Sequence, residues 1–382
     1  MRNQRGVFLL MSIGVVIFFS IVGAGSMARS THETSLGRRS AARQSAFYLA
    51  EAGIDRASWN LRTPTDATDD LLGKTLPTGT FAIDLQQEVS PLIWRVGAHG
   101  TSAQERRDME AIFQLTPQPI WRDGLHGELS VIVSGDVQTD SYDSQLGAYG
   151  GSNVGQQGNI GTNSTAAGSI DLSGGDYFID GQIAVGPNLS DPYSAVSCTI
   201  SGPCTAAALD PYVTADPPVV SAPAIPFPPM PAPVACNNST LPPKVANVRT
   251  FSAGTYCLVG NQSVEKEEVW TTNGLVTIYI TGTLSIAGGA TVGNVTDPTR
   301  MLFVLNQTAQ IGSLTGQAKF YGMLYGPDAN VKISGDAQIF GAIAAERVTI
   351  EGHAQLHYDV AVMNDTRVVG EYRRTLLSWR EL

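Results

Sequence analysis

The chain opens with an apolar run from Val7 to Gly25, nineteen residues that contain no charged side chain. As an α-helix this run would be about 28 Å long, enough to cross the hydrocarbon core of a bilayer. Arg2 and Arg5 precede the run, and flanking basic residues favour the cytoplasmic side of a membrane. The pattern therefore predicts a membrane-spanning helix, with the rest of the chain outside the cytoplasm.

A second helical pattern lies between Ser45 and Leu61. Apolar residues recur there at spacings of three and four, which places them on one helical face: Ala46, Leu49, Ala50, Gly53, Ile54, Ala57 and Leu61. Small side chains dominate this stripe and allow close approach. The stripe predicts a helix that lies either on the sheet of its own domain or against helices of other subunits.

Residues 62–117 predict a small antiparallel β meander. Residues 62–78 are rich in turn formers, and three strand candidates follow at Thr80–Gln86, Leu92–Gly100 and Glu105–Leu115. Alternation of apolar and polar positions, clearest in the first candidate, is typical of half-buried strands. A long helix followed by such a meander predicts an α+β core.

From about residue 118 to residue 382 the pattern changes to short apolar runs separated by turn residues. The clearest repeat joins Tyr321–Ile339 to Phe340–Leu356 with a two-residue gap, and its cores VKISGDAQI and VTIEGHAQL match at a 17-residue separation. One strand per side and a glycine at the bend suit a coil of a β-solenoid, or parallel β-helix. An ordinary β-sandwich is the alternative for this large all-β domain.

Composition supports a turn-rich β protein. Of 382 residues, 40 are glycine and 21 are proline, and only 15% are charged. The net charge of −10 argues against a nucleic-acid partner, because nucleic-acid binding needs a basic face.

All four cysteines lie beyond the predicted membrane segment, where disulfides are stable. They are Cys198, Cys204, Cys236 and Cys257, and of their three pairings the local one joins Cys198 to Cys204 and Cys236 to Cys257. Between them, residues 216–233 are proline-rich. We predict that this segment runs over the surface as a polyproline-like excursion and forms no solenoid coil.

Two motifs carry a family resemblance. Gln4 to Leu10 (QRGVFLL) and Ala46 to Ala57 (AFYLAEAGIDRA) resemble the N-terminal family of PilX-type minor pilins, within the type IV pilin and pseudopilin superfamily. The resemblance implies a leader of residues 1–6, cleaved between Gly6 and Val7. It also implies an assembly helix over residues 7–61, whose first half enters a filament and whose second half, including Glu51, covers a sheet.

Most members of that superfamily carry Glu five residues after the cleavage point, where this chain has Met11. PilX-type minor pilins and the K-type pseudopilins of type II secretion commonly lack the acid too. The resemblance therefore implies a minor subunit, in a position such as a tip or an initiating complex. Two alternatives stay open: a cleavable signal peptide ending near Ser26 or Ala28, and an uncleaved signal anchor.

The sequence shows no constellation typical of catalysis. Aspartates are scattered in predicted turns, and the five histidines, including His353 and His357, have no metal-site spacing. Asp140, Tyr142 and Asp143 form a polar cluster that we expect to cap a coil through hydrogen bonds to the backbone; calcium binding is the alternative. We predict no enzyme, no catalytic or metal site and no cofactor.

The combined prediction is a minor pilin-like subunit that is displayed on the cell surface in a structural or adhesive role. Its implied partners are other pilins or minor pilins, the prepilin peptidase, the inner-membrane assembly platform and the membrane itself. Its implied location is the bacterial inner membrane, with the C-terminal domain outside the cytoplasm, and a pilus after assembly. The alternative is an anchored or secreted β-helix protein that acts on or binds polysaccharide.

Overall fold

The computed structural model describes residues 4–63, 74–174, 176–198, 204–229, 236–305 and 314–382; the side chains of residues 4–8 and 10 lie outside the described part. The chain forms two compact units. Unit 1 comprises Met1–Thr116 and Tyr372–Leu382, and unit 2 comprises Pro117–Glu371.

The helices are α1 (Gln4–Asn60) and α2 (Ala206–Leu209), with 3₁₀ turns at Pro192–Ala195, Pro298–Arg300 and Val360–Asn364. The strands are β1 (Lys74–Leu76), β2 (Gly79–Ser90), β3 (Ile93–Ser102), β4 (Glu105–Pro119), β5 (Leu125–Gly135), β6 (Gln138–Tyr142), β7 (Ile160–Thr162), β8 (Ile170–Leu172), β9 (Phe178–Ile179), β10 (Ile183–Val185), β11 (Val196–Cys198), β12 (Val219–Ser221), β13 (Val248–Phe251), β14 (Gly254–Leu258), β15 (Gln262–Val264), β16 (Val269–Thr272), β17 (Val276–Ile280), β18 (Leu284–Ile286), β19 (Thr291–Gly293), β20 (Met301–Leu305), β21 (Lys319–Ile333), β22 (Gln338–Gly352), β23 (Gln355–Asp359) and β24 (Val369–Glu381).

Unit 1 is a single long helix on an antiparallel sheet, as the sequence predicts. The helix α1 has 57 residues, and the sheet order is β1-β2-β3-β4-β24. The predicted meander corresponds to β2, β3 and β4, which pair antiparallel in succession. Apolar side chains from the C-terminal part of α1 and from these strands form the core of the unit.

The C-terminal strand differs from the prediction. Residues up to 382 were assigned to the all-β domain, but Tyr372–Leu382 belongs to unit 1, where β24 lies beside β4. Glu110 on β4 accepts hydrogen bonds from Arg380, which fixes the strand there. Sequence proximity to the solenoid hid this long-range pairing. Unit 2 is therefore inserted, in chain order, between two strands of one sheet.

Unit 2 is a stack of coils joined by parallel strand pairing. Each strand of one coil pairs with the corresponding strand of the next, as in β14 with β17 and β17 with β20. Buried aliphatic and aromatic side chains fill the interior of the stack. The coils do not follow chain order: β5, the first strand, pairs with both β22 and β7. This arrangement is the large all-β, solenoid-like part of the predicted α+β fold.

The sequence repeat corresponds to the strand register of two neighbouring coils. Val331 pairs with Val348 and Ile333 with Ile350, which is the 17-residue separation of the repeat. The register shifts between Gly326 and Asn330, where the alignment needs its two-residue gap. Inward-pointing Val and Ile at matched positions are thus the physical origin of the repeat.

The proline-rich segment is only partly as predicted, and residues 230–233 lie outside the described residues. Its proline-free part forms strand β12, which pairs in parallel with β10, so the prediction that no coil strand forms here was wrong. The flanking prolines lie outside the three paired residues of β12, and prolines are tolerated at the end of a strand. The cysteines are joined as Cys198–Cys204 and Cys236–Cys257, the local pairing.

Candidate functional site: the long helix and the polar clusters

The N-terminal half of α1 presents apolar side chains that no described residue covers. Met11 is 69% exposed, Val16 64% and Phe19 67%. By length and composition α1 is apolar enough to cross a membrane, and its most apolar window is entirely unburied. The described residues of this uncharged run need an apolar environment, because exposed apolar surface of this extent is rare in water.

The two serines of the apolar run, Ser12 and Ser20, form hydrogen bonds within the helix. The Ser20 hydroxyl donates to Val16 O at 2.8 Å, and the Ser12 hydroxyl donates to Leu9 O at 2.9 Å. Such bonds leave no hydroxyl that requires water. The N-terminal half is therefore compatible with a bilayer or with a packed bundle of helices.

The C-terminal part of α1, from Ala46 to Asn60, buries one face on its own sheet. Among the predicted stripe residues, Ala46 and Ala50 are fully buried and Leu49 and Ile54 nearly so, while Glu51 is half-buried. Close approach depends on glycines: a Cβ at Gly100 would lie 2.1 Å from Ala46 O, and one at Gly53 would lie 2.7 Å from the Ala98 Cβ. The stripe thus packs on the unit's own sheet, the first of the two alternatives.

A carboxylate network ties the sheet of unit 1 together. Glu110 accepts hydrogen bonds from Arg95 Nε at 2.5 Å and from Arg380 NH2 at 2.8 Å. Burial by itself would raise the pKa of Glu110, but the two guanidinium groups outweigh that effect and lower the pKa. The network joins β3, β4 and β24 in one ionic contact.

The predicted cleavage point lies in the first turns of α1. The main chain at Gly6 and Val7 is helical, and their side chains lie outside the described residues. Leader removal therefore stays a prediction. Met11 lies one helical turn further on and is exposed.

In the cluster at Asp140, Tyr142 and Asp143, only Asp143 makes a side-chain bond to the backbone of the predicted kind within the described residues. The buried Tyr142 hydroxyl has no hydrogen-bond partner there. Asp143 Oδ1 accepts from Gln145 N at 2.9 Å, and Asn153 donates to Asp143 O at 3.0 Å. Asp140 accepts from the Tyr149 hydroxyl at 2.6 Å and lies 2.7 Å from Nδ1 of His357. The cluster is a structural cap in which each aspartate already has partners.

Asp359 anchors the same loop from the next coil. The side chain is fully buried, and Oδ1 accepts from Ser144 N at 3.0 Å and from Ala361 N at 3.1 Å. Burial raises its pKa, although the bond from Ser144 partly offsets this effect.

A second polar cluster was missed by the sequence analysis. His126 is buried, with Nδ1 2.8 Å from Asp123 Oδ2 and Nε2 3.2 Å from Asn163 Oδ1. Asn163 in turn accepts from Ile225 N at 2.7 Å and donates to Ile225 O at 2.5 Å, which holds the proline-rich segment on the coils. No spacing motif links these residues, because separate coils contribute them.

A third polar group lies on β2, β3 and β4, where Asp84, His99 and Asp108 approach one another closely enough to share a cation. Arg106 already occupies this position: it donates to Asp108 Oδ1 at 2.6 Å and lowers the pKa of that carboxyl, chiefly through the hydrogen bond. The group is a surface ion-pair network.

The chain has the following similarities to known proteins. A model described as a domain of unknown function, DUF7305, matches residues 250–365, which lie within the coil stack. No curated protein sequence matches the chain. Among solved structures, the competence-associated pilin ComZ from Thermus thermophilus is similar at 11% identity and a TM-score of 0.30, covering 89% of this chain and 97% of that one.

Two ice-binding proteins are also similar. The protein LeIBP from an Arctic yeast has 13% identity and a TM-score of 0.35, and covers 63% of this chain and 91% of that one. The DUF3494 domain of an ice-binding protein from Shewanella frigidimarina has 12% identity and a TM-score of 0.21, covering 64% and 98%. Likenesses of this strength do not assign a function.

Proposed function

We propose that this protein is a minor pilin-like subunit of a type IV pilus assembly system. It is inserted in the inner membrane through the N-terminal half of α1, is cleaved after Gly6, and then packs that half against helices of other pilins or minor pilins. The coil stack of unit 2 is displayed outside the cytoplasm as a structural module. The prepilin peptidase and the inner-membrane assembly platform act on it during this process.

The observation that carries the proposal is the contrast within α1. Its C-terminal half is buried by its own sheet, whereas its N-terminal half exposes apolar side chains such as Val16 and Phe19. A bilayer covers such a surface before assembly, and neighbouring helices can cover it afterwards. An anchor alone would not need a continuous helix of 57 residues that also forms the core of a folded unit.

The absence of an acid at position 11 supports a minor position. In the superfamily that this chain resembles, the acid after the cleavage point pairs with the new N-terminal amine of a neighbour, and Met11 offers no such charge. We therefore place the subunit at a tip or in an initiating complex. Recovery of the protein evenly along sheared filaments would contradict this position.

Photo-crosslinking in cells of the native host tests the proposal. A benzophenone amino acid at Val16 is expected to give adducts with other pilin-class subunits, identified by mass spectrometry. The matched control is Leu146, which is 79% exposed but lies in unit 2. Adducts from position 146 and none from position 16 would overturn the proposal.

A further inference from the structure

An open pocket of about 260 Å³ lies in unit 2, next to the His126 cluster, with which it shares Asp123. Four polar side chains line it, Arg122, Asp123, Asn159 and Gln182, together with small apolar residues that include Ala184 and Ala222. Its volume is close to the lower end of small-molecule sites, about 300 Å³.

Space for the pocket comes from two small residues, Gly161 and Ala184, which pair with each other on neighbouring strands of the coil stack. In strand register, His126 is followed across the coils by Gly161, Ala184 and Val220. A Cβ at Gly161 would lie 2.3 Å from Asp123 Oδ2 and 2.8 Å from His126 Nδ1. Glycine at this position therefore makes room for the aspartate at the wall of the pocket.

The polar groups are held in place by bonds that leave part of each one unused. Asp123 is only 3% exposed, and its Oδ2 faces His126. Asn159 Oδ1 accepts from Gln182 N at 2.9 Å, and Gln182 Nε2 donates to Pro217 O at 2.9 Å. Within the described part of the chain, Asp123 Oδ1, Asn159 Nδ2 and Gln182 Oε1 make no hydrogen bond, and solvent reaches each of these atoms.

The two charged side chains of the pocket, Arg122 and Asp123, have opposite signs, which favours a ligand without net charge. Arg122 NH2 lies 3.7 Å from Asp123 Oδ2, and Arg122 NH1 donates to Pro223 O at 2.9 Å. The guanidinium thus faces a carboxylate and keeps unused N–H donors. The pocket presents acceptors on Asp123 and Gln182, donors on Arg122 and Asn159, and an apolar wall.

We propose that this pocket binds a neutral sugar residue. Each sugar hydroxyl both donates and accepts, as hydroxyl groups do, so adjacent hydroxyls match adjoining donors and acceptors. The hydrocarbon face of the ring packs on Ala184 and Ala222. This inference goes beyond the proposed function, because assembly through α1 needs no ligand in unit 2. The chemistry indicates a saccharide of a glycan, bound as a single ring.

The test is saturation-transfer NMR with the full chain in a phosphocholine detergent, since glycoside detergents would compete. The probes are D-glucose, D-galactose, D-mannose and N-acetyl-D-glucosamine, with acetate and D-glucuronate as anionic probes. At least one neutral sugar is expected to bind with a Kd of about 1–10 mM, the range that suits a small, open site. Binding of the anions alone, or of no probe, would overturn the proposal.

Two variants locate the binding. Gln182→Met removes the Oε1 acceptor at similar size and is expected to weaken binding about tenfold, as loss of one specific hydrogen bond does. Ala222→Trp fills the half-exposed side of the pocket and is expected to abolish binding. Unchanged binding in both variants would overturn the site.

The matched control is Gln262→Met. Gln262 is also half-buried on a coil and also donates through Nε2 to backbone oxygens, those of Val259 and Gly260, but it does not line the pocket. Binding is expected to be unchanged in this variant. If Ala222→Trp unfolds unit 2, sugar binding by Gln182→Met and Gln262→Met tests the site without it. Equal binding by these two variants would then overturn the site. None of these outcomes affects the crosslinking at Val16.

Discussion

The two halves of the continuous helix α1 differ in burial: one packs on a sheet and the other is exposed. In the C-terminal half, Ala46 and Ala50 are fully buried against β3, whereas in the N-terminal half Val16 and Phe19 project from the fold. Glycines show the same contrast. A Cβ at Gly53 would collide with the sheet, but one at Gly14 or Gly23 would meet nothing within 4 Å.

This contrast shows how one element serves two environments. Small residues in the C-terminal half permit close packing within unit 1, so that half contributes to stability. Large aliphatic and aromatic residues in the N-terminal half have no described partner, so their burial must come from a bilayer or from other chains. Under the proposed function, stability and assembly therefore depend on different segments of the same helix.

The largest effect is expected at the contact between helix and sheet. Gly100→Val places side-chain atoms where backbone atoms of Ala46 and Ala50 lie, and backbone atoms cannot move aside. We expect unit 1 to lose on the order of 4 kcal/mol of stability. This loss of stability is measured as faster hydrogen exchange in peptides from Ile93–Ser102. Protection equal to that of the wild type would contradict the close packing of α1 on β3.

The next effect concerns the exposed half. Val16→Asp should reduce membrane insertion by about 2.5–3.5 kcal/mol, the cost of a carboxylate near the centre of a spanning helix. Leu36→Asp is the control, because Leu36 is 52% exposed on the same helix but lies beyond the apolar run. Membrane fractionation compares the two. Equal insertion of both variants would show that the run does not span the bilayer.

A smaller, pH-dependent effect is expected from Glu110→Gln. The folded-state pKa of Glu110 lies below the reference value of 4.5, so its stabilisation is present above that value and is lost as the pH falls through the folded-state pKa. At pH 7 we expect a loss of about 1 kcal/mol, since the partner arginines are largely exposed.

The matching measurement is thermal unfolding of Glu110→Gln and wild type at about pH 7 and about pH 3. The difference between the two proteins should shrink at the lower pH, because pH 3 lies below the reference pKa of 4.5, where the stabilisation from a carboxylate with a lowered folded-state pKa declines. A difference that stays constant with pH would mean that packing, and not the ionic contact with Arg95 and Arg380, accounts for it.

The smallest expected effect is an increase in the local stability of α1. Gly37 lies on the exposed surface of α1, and a Cβ there would meet nothing within 4 Å. Gly37→Ala should stabilise the helix locally by about 0.5–1 kcal/mol, because alanine loses less backbone entropy. Slower hydrogen exchange around residue 37 is the expected result. Faster exchange would indicate an unseen contact at this position.

Much of the fold could be predicted because its signals are local. The apolar run, the stripe from Ala46 to Leu61 and the alternation in β2 follow from periodicity within one element. The repeat at Val331 and Val348 predicted the register of neighbouring coils, since identical coils pack identical side chains inward.

What could not be predicted depends on contacts between distant parts of the chain. The pairing of β24 with β4 and of β5 with β22 joins segments far apart in sequence, and no periodicity encodes it. The polar groups around Asp123 and Gln182 come from separate coils for the same reason. The strand β12 was missed because its three residues are flanked by prolines.

The N-terminal sequence of the mature protein, purified from membranes of its native host, tests the central claim most directly. The account predicts that the chain begins at Val7, with the apolar half of α1 intact and ready to pack. A chain that begins near Ser26 or Ala28 would contradict it, because the exposed half would then be absent from the mature protein. A chain that still begins at Met1 would contradict the cleavage and leave a simple membrane anchor.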